Sequence, residues 1–447
     1  MSAPYTMPLR AVVVGLGKTG YSVARFLLSS GSRVAVTDSR TAPPELARLA
    51  ALGADVEVRT GGFDVALLEH ADLVVVSPGV ALSGPFFEAA RARGLAIVGD
   101  IELFARVVRA PVVGITGTNG KSTVTTLLEK MAARAGLTMR AGGNLGAPAL
   151  ELLDDSVELY ILELSSFQLE TTESLALAAA TVLNVTPDHL DRYADVGAYA
   201  AAKARIFARC DVAVINLDDP LVAAMIGPGR RQLSFSLRAD VGADYALLRR
   251  DGAEWWLMRR GEPLLPFSQM RLTGLHNAAN ALAALALAEA LGLPRAACIA
   301  ALSAFTGLAH RTQWVAEIDG VRYVNDSKGT NVGATLAAVA GMPGPLIVIA
   351  GGDGKGQDFA PLRAAFAGKV RATVLIGRDA RLLGQALQGA SELHYAASLE
   401  AAVECAARLA QPGDTVLLSP ACASLDMFRS YMHRGDVFAG VVQSRSA

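Results

Sequence analysis

The sequence predicts an α/β protein of three domains, and three observations carry that prediction. The chain has 447 residues, more than one ordinary hydrophobic core organises, which suggests about three units. Apolar strand-like runs alternate with helical stretches along the chain, the pattern of sheets covered by helices. Glycine-rich turns stand between strand and helix at two places, Gly15 to Gly20 and Gly117 to Gly120. Composition narrows the classes further. A formal net charge of -1 leaves no basic footprint for nucleic acid, so any anion site must be built from placed residues. The opening MSAPYTMPLR has no apolar signal core and no apolar run approaches a bilayer span, so a cytoplasmic protein without membrane insertion is expected. Cys210, Cys298, Cys405 and Cys422 lack metal-ligand spacing and read as reduced, small apolar residues.

The first unit is expected over residues 1–99 as a Rossmann-like domain. RAVVVGLGKTG sets Gly15, Gly17 and Gly20 in a G-x-G-x-x-G between strand and helix, and RVAVTD ends on Asp38. Alone this pattern points to a nicotinamide dinucleotide. Its physics, however, asks only for a diphosphate at a helix N-terminus and a carboxylate near a ribose hydroxyl, and a uridine diphosphate offers both. DLVVVSPG (72 to 79) adds a strand and a Ser-Pro-Gly turn, and GLAIVGDIEL (94 to 103) leads into the next unit.

The second unit, 100–307, carries the phosphate loop PVVGITGTNGKST and is expected to be an ATPase-like domain. Pro111 to Ile115 reads as a buried strand, Gly117 and Gly120 let backbone approach a phosphate, Lys121 would sit on the outer phosphates, and Ser122 and Thr123 open a helix. The spacing is not the standard G-x-x-x-x-G-K-[ST], since the first glycine would fall on Ile115. A plain glycine turn is the weaker alternative. In ELYILELSSFQLE, Glu163 ends an apolar strand, where it could give magnesium a hard oxygen or cap the helix that follows. ATVLNVTPDHLDRY ends a further strand with Asp188, His189 and Asp191, and phosphate or metal contact weighs there about as much as a merely satisfied histidine. YAAAKARIFAR (199 to 209) reads as an amphipathic helix in which nothing local distinguishes Lys203 from a solvated lysine. YALLRRDGAEWWLMRRGEPLLP has the alternation and Asp-Gly turn of a hairpin, with Trp255 and Trp256 on a sheet face. TGLHNAANALAALALAEALGL reads as a helix stopped at Gly292, with Asn277 and Asn280 on one face to read an adenine or phosphate, or to cap.

The third unit, 308–447, is expected as another Rossmann-like domain, with strands at 321 to 325, 346 to 350, 373 to 377 and 415 to 419. Loops after these strands carry Asp326, Lys328, Thr330, Lys355 and Ser424, a set suited to a small dianionic substrate. Arg311, at the junction, could reach back to the phosphates.

GTNGKST, LELSSFQLE, NVTPDHLDRY, GLHNAANALAALALAEALGLPR, His310-Arg311, NDSKGTN, GGDGK and SPACASLDMF, in that order, resemble the Mur ligases of peptidoglycan synthesis. These enzymes add amino acids to a UDP-linked muramoyl precursor. The resemblance covers nearly the whole chain, and the combination is most like the member that joins D-glutamate to UDP-N-acetylmuramoyl-L-alanine. It implies ATP and Mg2+, small-molecule substrates and a monomeric cytoplasmic enzyme. It also implies roles. Gly117, Thr118, Asn119, Gly120, Lys121, Ser122 and Thr123 would hold ATP, with Asn280, Arg311 and Asp326 reaching it across the domain junction. Lys121, Glu163, His189 and Lys203 would be catalytic, and Thr123, Glu163, His189 and a carbamylated Lys203 would serve magnesium. Thr19, Asp38, Arg40 and Ser77 would face the uridine nucleotide, Asn144 and Gln168 the muramoyl peptide, and Thr330, Lys355, Ser424 and Leu425 D-glutamate. Two positions depart from the family pattern: Lys18 replaces an apolar residue in GLGxTG, and Tyr431 stands where a Phe is familiar. Rival classes are a nicotinamide oxidoreductase, favoured only by GLGKTG and Asp38, and a non-catalytic nucleotide-binding regulator; neither explains GGDGK or SPACASLD. Another Mur-type or folylpolyglutamate-type ligase would differ in the third-unit loops.

Overall fold

The computed structural model describes residues 9–446 except 54, 228, 251–253, 273 and 343. Among the described residues the strands form three sheets. In the first, β1 (Arg10–Val14), β2 (Arg33–Asp38), β3 (Glu57–Thr60), β4 (Leu73–Val76) and β5 (Ala96–Val98) stand in the order β3-β2-β1-β4-β5, with every pairing parallel. β1, β2 and β4 are runs of Val and Ala buried on both faces, as parallel strands under two helix layers must be. The order reverses between β1 and β4, and the strand ends there open a crevice. Gly20 lets the helix Lys18–Ser29 pass close over β1, because a Cβ at that position would collide with the Gly15 carbonyl.

The second sheet holds β6 (Val112–Thr116), β7 (Met139–Gly143), β8 (Leu159–Glu163), β9 (Leu177–Val182), β10 (Cys210–Asn216), β11 (Gln232–Ser236), β12 (Tyr245–Arg250), β13 (Glu254–Arg259) and β14 (Glu262–Pro266). Their order is β14-β13-β12-β11-β10-β9-β6-β8-β7. The sheet is parallel as far as β12 and closes with the antiparallel pairs β12–β13 and β13–β14. The expected Asp-Gly turn of the β12–β13 hairpin lies outside the described residues. β6 sits between β8 and β9, so the phosphate loop, Glu163 and the turn after β9 emerge side by side. The helices Lys121–Arg134 and Leu275–Ala290 share one apolar cluster on a face of this sheet. The second helix is Ala- and Leu-rich and buried over most of its length, and Gly292 turns the chain at φ 71° just past its end.

In the third sheet, β15 (Gln313–Ile318), β16 (Val321–Asn325), β17 (Leu346–Gly351), β18 (Val370–Ile376), β19 (Glu392–Tyr395) and β20 (Thr415–Leu418) follow the order β15-β16-β20-β17-β18-β19. Only β15 runs antiparallel to its neighbour. β15 and β19 were not among the expected strands. Both are edge strands, half-buried and mixed in polarity, because an edge needs no continuous apolar run.

Packing crosses from the first sheet to the second. Ile101, Leu103 and Phe104 of the helix Asp100–Val107 belong to one apolar cluster with Val13 and Val36 on one side and Leu162 and Val182 on the other. Glu102 accepts from the backbone N–H groups of Glu173 and Ser174 at 2.8 and 2.9 Å, fastening the helix to the segment that leads into β9. All four cysteines are free thiols. Among the described residues no helix is long and apolar enough to cross a membrane.

Candidate active site

The phosphate loop is shaped by polar contacts to the neighbouring strand ends. Asn184, just past β9, clamps it in both directions. Its Oδ1 accepts from the Asn119 N–H at 2.8 Å and its Nδ2 donates to the Asn119 carbonyl at 3.1 Å. Gly120 takes φ 84°, and a side chain there would strike Asn280. Lys121 folds over the loop, its Nζ donating to the carbonyls of Gly117 at 2.7 Å and Thr118 at 2.9 Å. Burial lowers the Lys121 pKa.

Glu163 is not a helix cap. Ser165 caps the helix Ser166–Glu170 in a reciprocal capping box with Gln168. Glu163, 3% exposed, instead accepts from Ser122 Oγ at 2.6 Å and from Asn144 Nδ2 at 2.8 Å. Arg311 from the third unit donates to the same Ser122 Oγ at 2.6 Å, and burial lowers its pKa. Two other third-unit groups reach the loop's surroundings. Asn331 Nδ2 donates to Asn119 Oδ1 at 3.3 Å and Asp188 Oδ2 at 3.4 Å, and Lys355 Nζ donates to Asp188 Oδ1 at 3.0 Å. Burial pushes the Asp188 carboxyl up, but the charges of Lys355 and His189 outweigh it and hold the group below its usual range. These contacts enclose a cleft of about 270 Å³ lined by Thr118 to Ser122, Asn144, Glu163, His189, Lys203, Arg311, Thr330 and Lys355.

Lys203 corrects its local reading. It is 1% exposed rather than solvated, and its Nζ donates to the Gly117 carbonyl at 3.0 Å while lying 4.4 Å from the Tyr199 ring centroid. Its helix is Val196–Ala204 rather than the amphipathic helix expected over 199 to 209; it is Ala-rich, lacks a strong amphipathic stripe and faces its last turn inward. Burial first, and then the Lys121 charge, hold its pKa well below that of an ordinary lysine. His189 has φ 57°, and its ring meets Phe167 at 4.9 Å between centroids; burial lowers its pKa.

The donor set fits magnesium carried by a polyphosphate. Glu163 and Ser122 supply adjacent hard oxygens. Among the described residues no group of three or more His, Cys, Asp or Glu side chains could hold an ion by itself. A bound magnesium would therefore complete its shell with phosphate and water oxygens, its usual preference. The hydroxyl beside Glu163 belongs to Ser122. Thr123, expected in that place, lies one residue farther round the helix and lines the adjoining cavity.

That adjoining cavity, of about 250 Å³, is bounded by Asn119, Gly120, Phe235, Asn277, Asn280, Arg311 and Asp326. Asn280 donates to Asn277 Oδ1 at 3.2 Å. Asp326 accepts from Ser419 Oγ at 2.9 Å and the Thr312 N–H at 3.1 Å, and burial pushes its carboxyl up to about 7. Lys328 lies 4.3 Å from the Tyr431 ring centroid, so the tyrosine keeps the aromatic face a phenylalanine would offer.

A third cavity, of about 640 Å³, opens at the end of the first sheet between Gly15, Lys18, Thr19, Asp38, Arg40, Ser77, Asn144 and Gln168. Asp38 lies in the wall of this cavity with its carboxylate oxygens taken up by neighbouring donors. It is 2% exposed, and its carboxylate accepts from the Leu16 N–H at 2.6 Å, the Arg40 N–H at 2.8 Å and the Arg40 guanidinium at 2.9 and 2.6 Å. Burial alone would raise its pKa, but these donors bring it to about 2. Ser77 Oγ donates to the Gly15 carbonyl at 2.8 Å and braces the glycine turn.

Not every expected residue meets in the cleft. Thr330 and Lys355 line it, whereas Ser424 is buried and Leu425 is 75% exposed on a loop beside it. That loop is tied to the Lys355 turn through the Ala423 N–H and the Asp353 carbonyl at 2.8 Å. Asn184 and Asn331 were missed by the sequence reading; the usable signals were a polar residue just beyond β9 for Asn184 and a helix N-cap position for Asn331, whose Oδ1 accepts from the Ala334 N–H.

A phosphate loop completed by side chains of a third α/β unit, with a large neighbouring cavity between the first and second units, defines a multidomain nucleotide-using enzyme whose binding surfaces meet at one cleft. Comparison with known proteins names its kind. The Mur ligase MurD-like N-terminal domain matches residues 9–99, the Mur ligase middle domain 115–288, and the Mur ligase glutamate ligase domain 310–422. The chain is 57% identical to the UDP-N-acetylmuramoylalanine--D-glutamate ligase of Nitrosococcus oceani, covering 97% of this chain and 96% of the relative. It is 54% identical to the enzyme of the same name from Pseudomonas savastanoi pv. phaseolicola, over 97% of this chain and 98% of the relative. Among solved structures, UDP-N-acetylmuramate-alanine ligase from Thermotoga maritima shares the fold at a TM-score of 0.64 and 19% identity, covering 98% of this chain and 99% of that one. A pseudomurein peptide ligase type C from Methanothermus fervidus does so at 0.62 and 18%, over 98% and 99%. The chain belongs to the Mur ligase family.

Proposed function

We infer that this chain is the ATP-dependent ligase that joins D-glutamate to UDP-N-acetylmuramoyl-L-alanine in cytoplasmic peptidoglycan precursor synthesis. The observation that carries this reading is identity of 57% and 54% to ligases of that name over 97% of the chain. The cleft supports it chemically. Lys121, Arg311 and Lys355 bring cations around Glu163 and Asp188, as a polyphosphate and a dianionic amino acid require. We take the three units to divide near 99 and 307, and the enzyme to act as a monomer.

A carboxylate is a poor acyl donor. Its attack on the γ-phosphorus of ATP forms an acyl phosphate as the bond to the ADP oxygen breaks; the amine of D-glutamate then adds to the carbonyl carbon, and phosphate leaves. Lys121, released from the Gly117 and Thr118 carbonyls, would stabilise charge on the transferring phosphoryl group, and Arg311 would approach it from the third unit. Ser122 and Glu163, with His189 and a carbamylated Lys203, would hold magnesium, which when bound neutralises phosphate charge. Asn277 and Asn280 suit an adenine edge in the adjoining cavity, with Asp326 at its rim. Thr19, Arg40 and Ser77, with Asn144 and Gln168, would take the UDP-linked precursor. Thr330 and Lys355, with Ser424 and Leu425 on the neighbouring loop, would take D-glutamate. Lys355 is already paired with a carboxylate, Asp188, so an incoming substrate carboxylate would exchange for it. Closure of the third unit over the loop would keep water from the acyl phosphate.

Phosphate release is the test. It should require ATP, UDP-N-acetylmuramoyl-L-alanine and D-glutamate together. Equal turnover with L-glutamate, or with another precursor and amino acid, would overturn the assignment.

A further inference from the structure

Lys18 is exposed at a position that the reaction above does not explain. It is the first residue of the helix Lys18–Ser29, whose first turn holds no acidic residue and whose N-cap, Gly17, supplies no side-chain hydrogen bond. A cation there faces the positive end of the helix dipole. Its ammonium leaves its own unit and donates to the Gly146 carbonyl of the second unit at 2.6 Å. Two turns further on, Arg25 approaches Glu151 of the same second-unit segment at 3.7 Å. One face of the first helix is thus fastened to residues 146 to 151.

Lys18, Asp38 and Arg40 are the charged side chains lining the 640 Å³ cavity. Asp38 and Arg40 neutralise each other through a two-point ion pair, which leaves Lys18 uncompensated. An ammonium has three donors, and Gly146 takes one. We propose that Lys18 is a binding residue for the diphosphate of the UDP-linked precursor, set in place by the Gly146 carbonyl so that nucleotide capture and docking of the first helix on the second unit are one event. The remaining two donors face an anion together with the helix N–H groups. The inference deepens the functional reading above and rests on it.

The test uses the full chain, with UDP as the probe, by titration calorimetry at low and high salt, beside KM for each of the three substrates. Lys18→Leu should bind UDP about fivefold more weakly, with a shallower salt dependence, and raise KM for the precursor by a similar factor. KM for ATP and for D-glutamate should move far less, and Lys18→Arg should recover most of the loss. A folded Lys18→Leu chain with wild-type UDP affinity and salt dependence would overturn the inference. So would an equal rise in all three KM values, which would leave Lys18 a docking group only. Failure of the unsubstituted chain to bind UDP would overturn both readings, whereas an insensitive Lys18→Leu in a chain that does bind UDP would sink this one alone.

Discussion

The two glycine turns that open the first and second units start from the same local pattern and are completed in opposite ways. At Gly15 to Gly20 the supporting carboxylate is Asp38, 22 residues from the Leu16 N–H it accepts, and its other partner, Arg40, is two residues away. Its oxygens are already taken by donors of its own unit. At Gly117 to Gly120 the completing groups come from far along the chain: Arg311 meets Ser122 across 189 residues, and Asn331 meets Asn119 across 212. The backbone of a turn stabilised by its own neighbours is set whenever its unit is folded. A turn completed by another unit is ready only when the units meet, which suits a step whose intermediate water would destroy.

The contrast is broken most severely at the second turn. Lys121→Ala should lower kcat by more than about a hundredfold, because a preorganised cation on a developing charge is worth about 3 kcal/mol. Near-normal phosphate release in that variant would remove the loop from the chemistry. Lys203→Ala should also come close to inactivity, and a short carboxylic acid should restore part of the rate by replacing the carbamate oxygen. Full activity without added acid would leave Lys203 as a packing group beneath Gly117.

Lys355→Ala tests whether the third unit brings a substrate as well as closing the cleft. The KM for D-glutamate should rise about thirtyfold, the size of one lost charge-assisted hydrogen bond, while the KM for the UDP-linked precursor changes much less. Parallel rises in both would mean that Lys355 acts through closure rather than through the amino acid.

The smallest effect belongs to the first turn. Asp38 has a pKa of about 2 in the folded protein against an ordinary 3.8, and it is 2% exposed. Its ionised form therefore stabilises the fold fully above pH 3.8, and that contribution is lost as the pH falls through 2. Asp38→Asn should be less stable by about 1–2 kcal/mol in denaturant titrations at neutral pH. The gap to the wild type should shrink through the acid window. Equal stability at neutral pH would show that the turn does not depend on the carboxylate.

Residues whose task is local were legible in the chain. The glycines of both turns stand out by their spacing, and Glu163 at a strand end and the Asn277–Asn280 pair stand out by position; the structure places these last three on the walls of the two cavities beside the loop. Lys203 did not, since burial is set by what covers a helix and not by the helix itself. Nor did the choice between Ser122 and Thr123, adjacent hydroxyls that the helix points about 100° apart. β15 and β19 escaped because edge strands carry too weak an apolar signal.

Sequence by itself determined the three α/β units, the order of their strand-end loops and the family, because apolar period, glycine placement and motif order are properties of neighbours in the chain. Only the tertiary structure decided that Asp38 is consumed by Arg40 and Leu16, that Arg311 meets Ser122, and that Lys18 crosses to Gly146. Each of those depends on which surfaces face one another once separate cores have packed. Side chains far apart in the chain acquire their charge environment, and with it their chemistry, only at that stage.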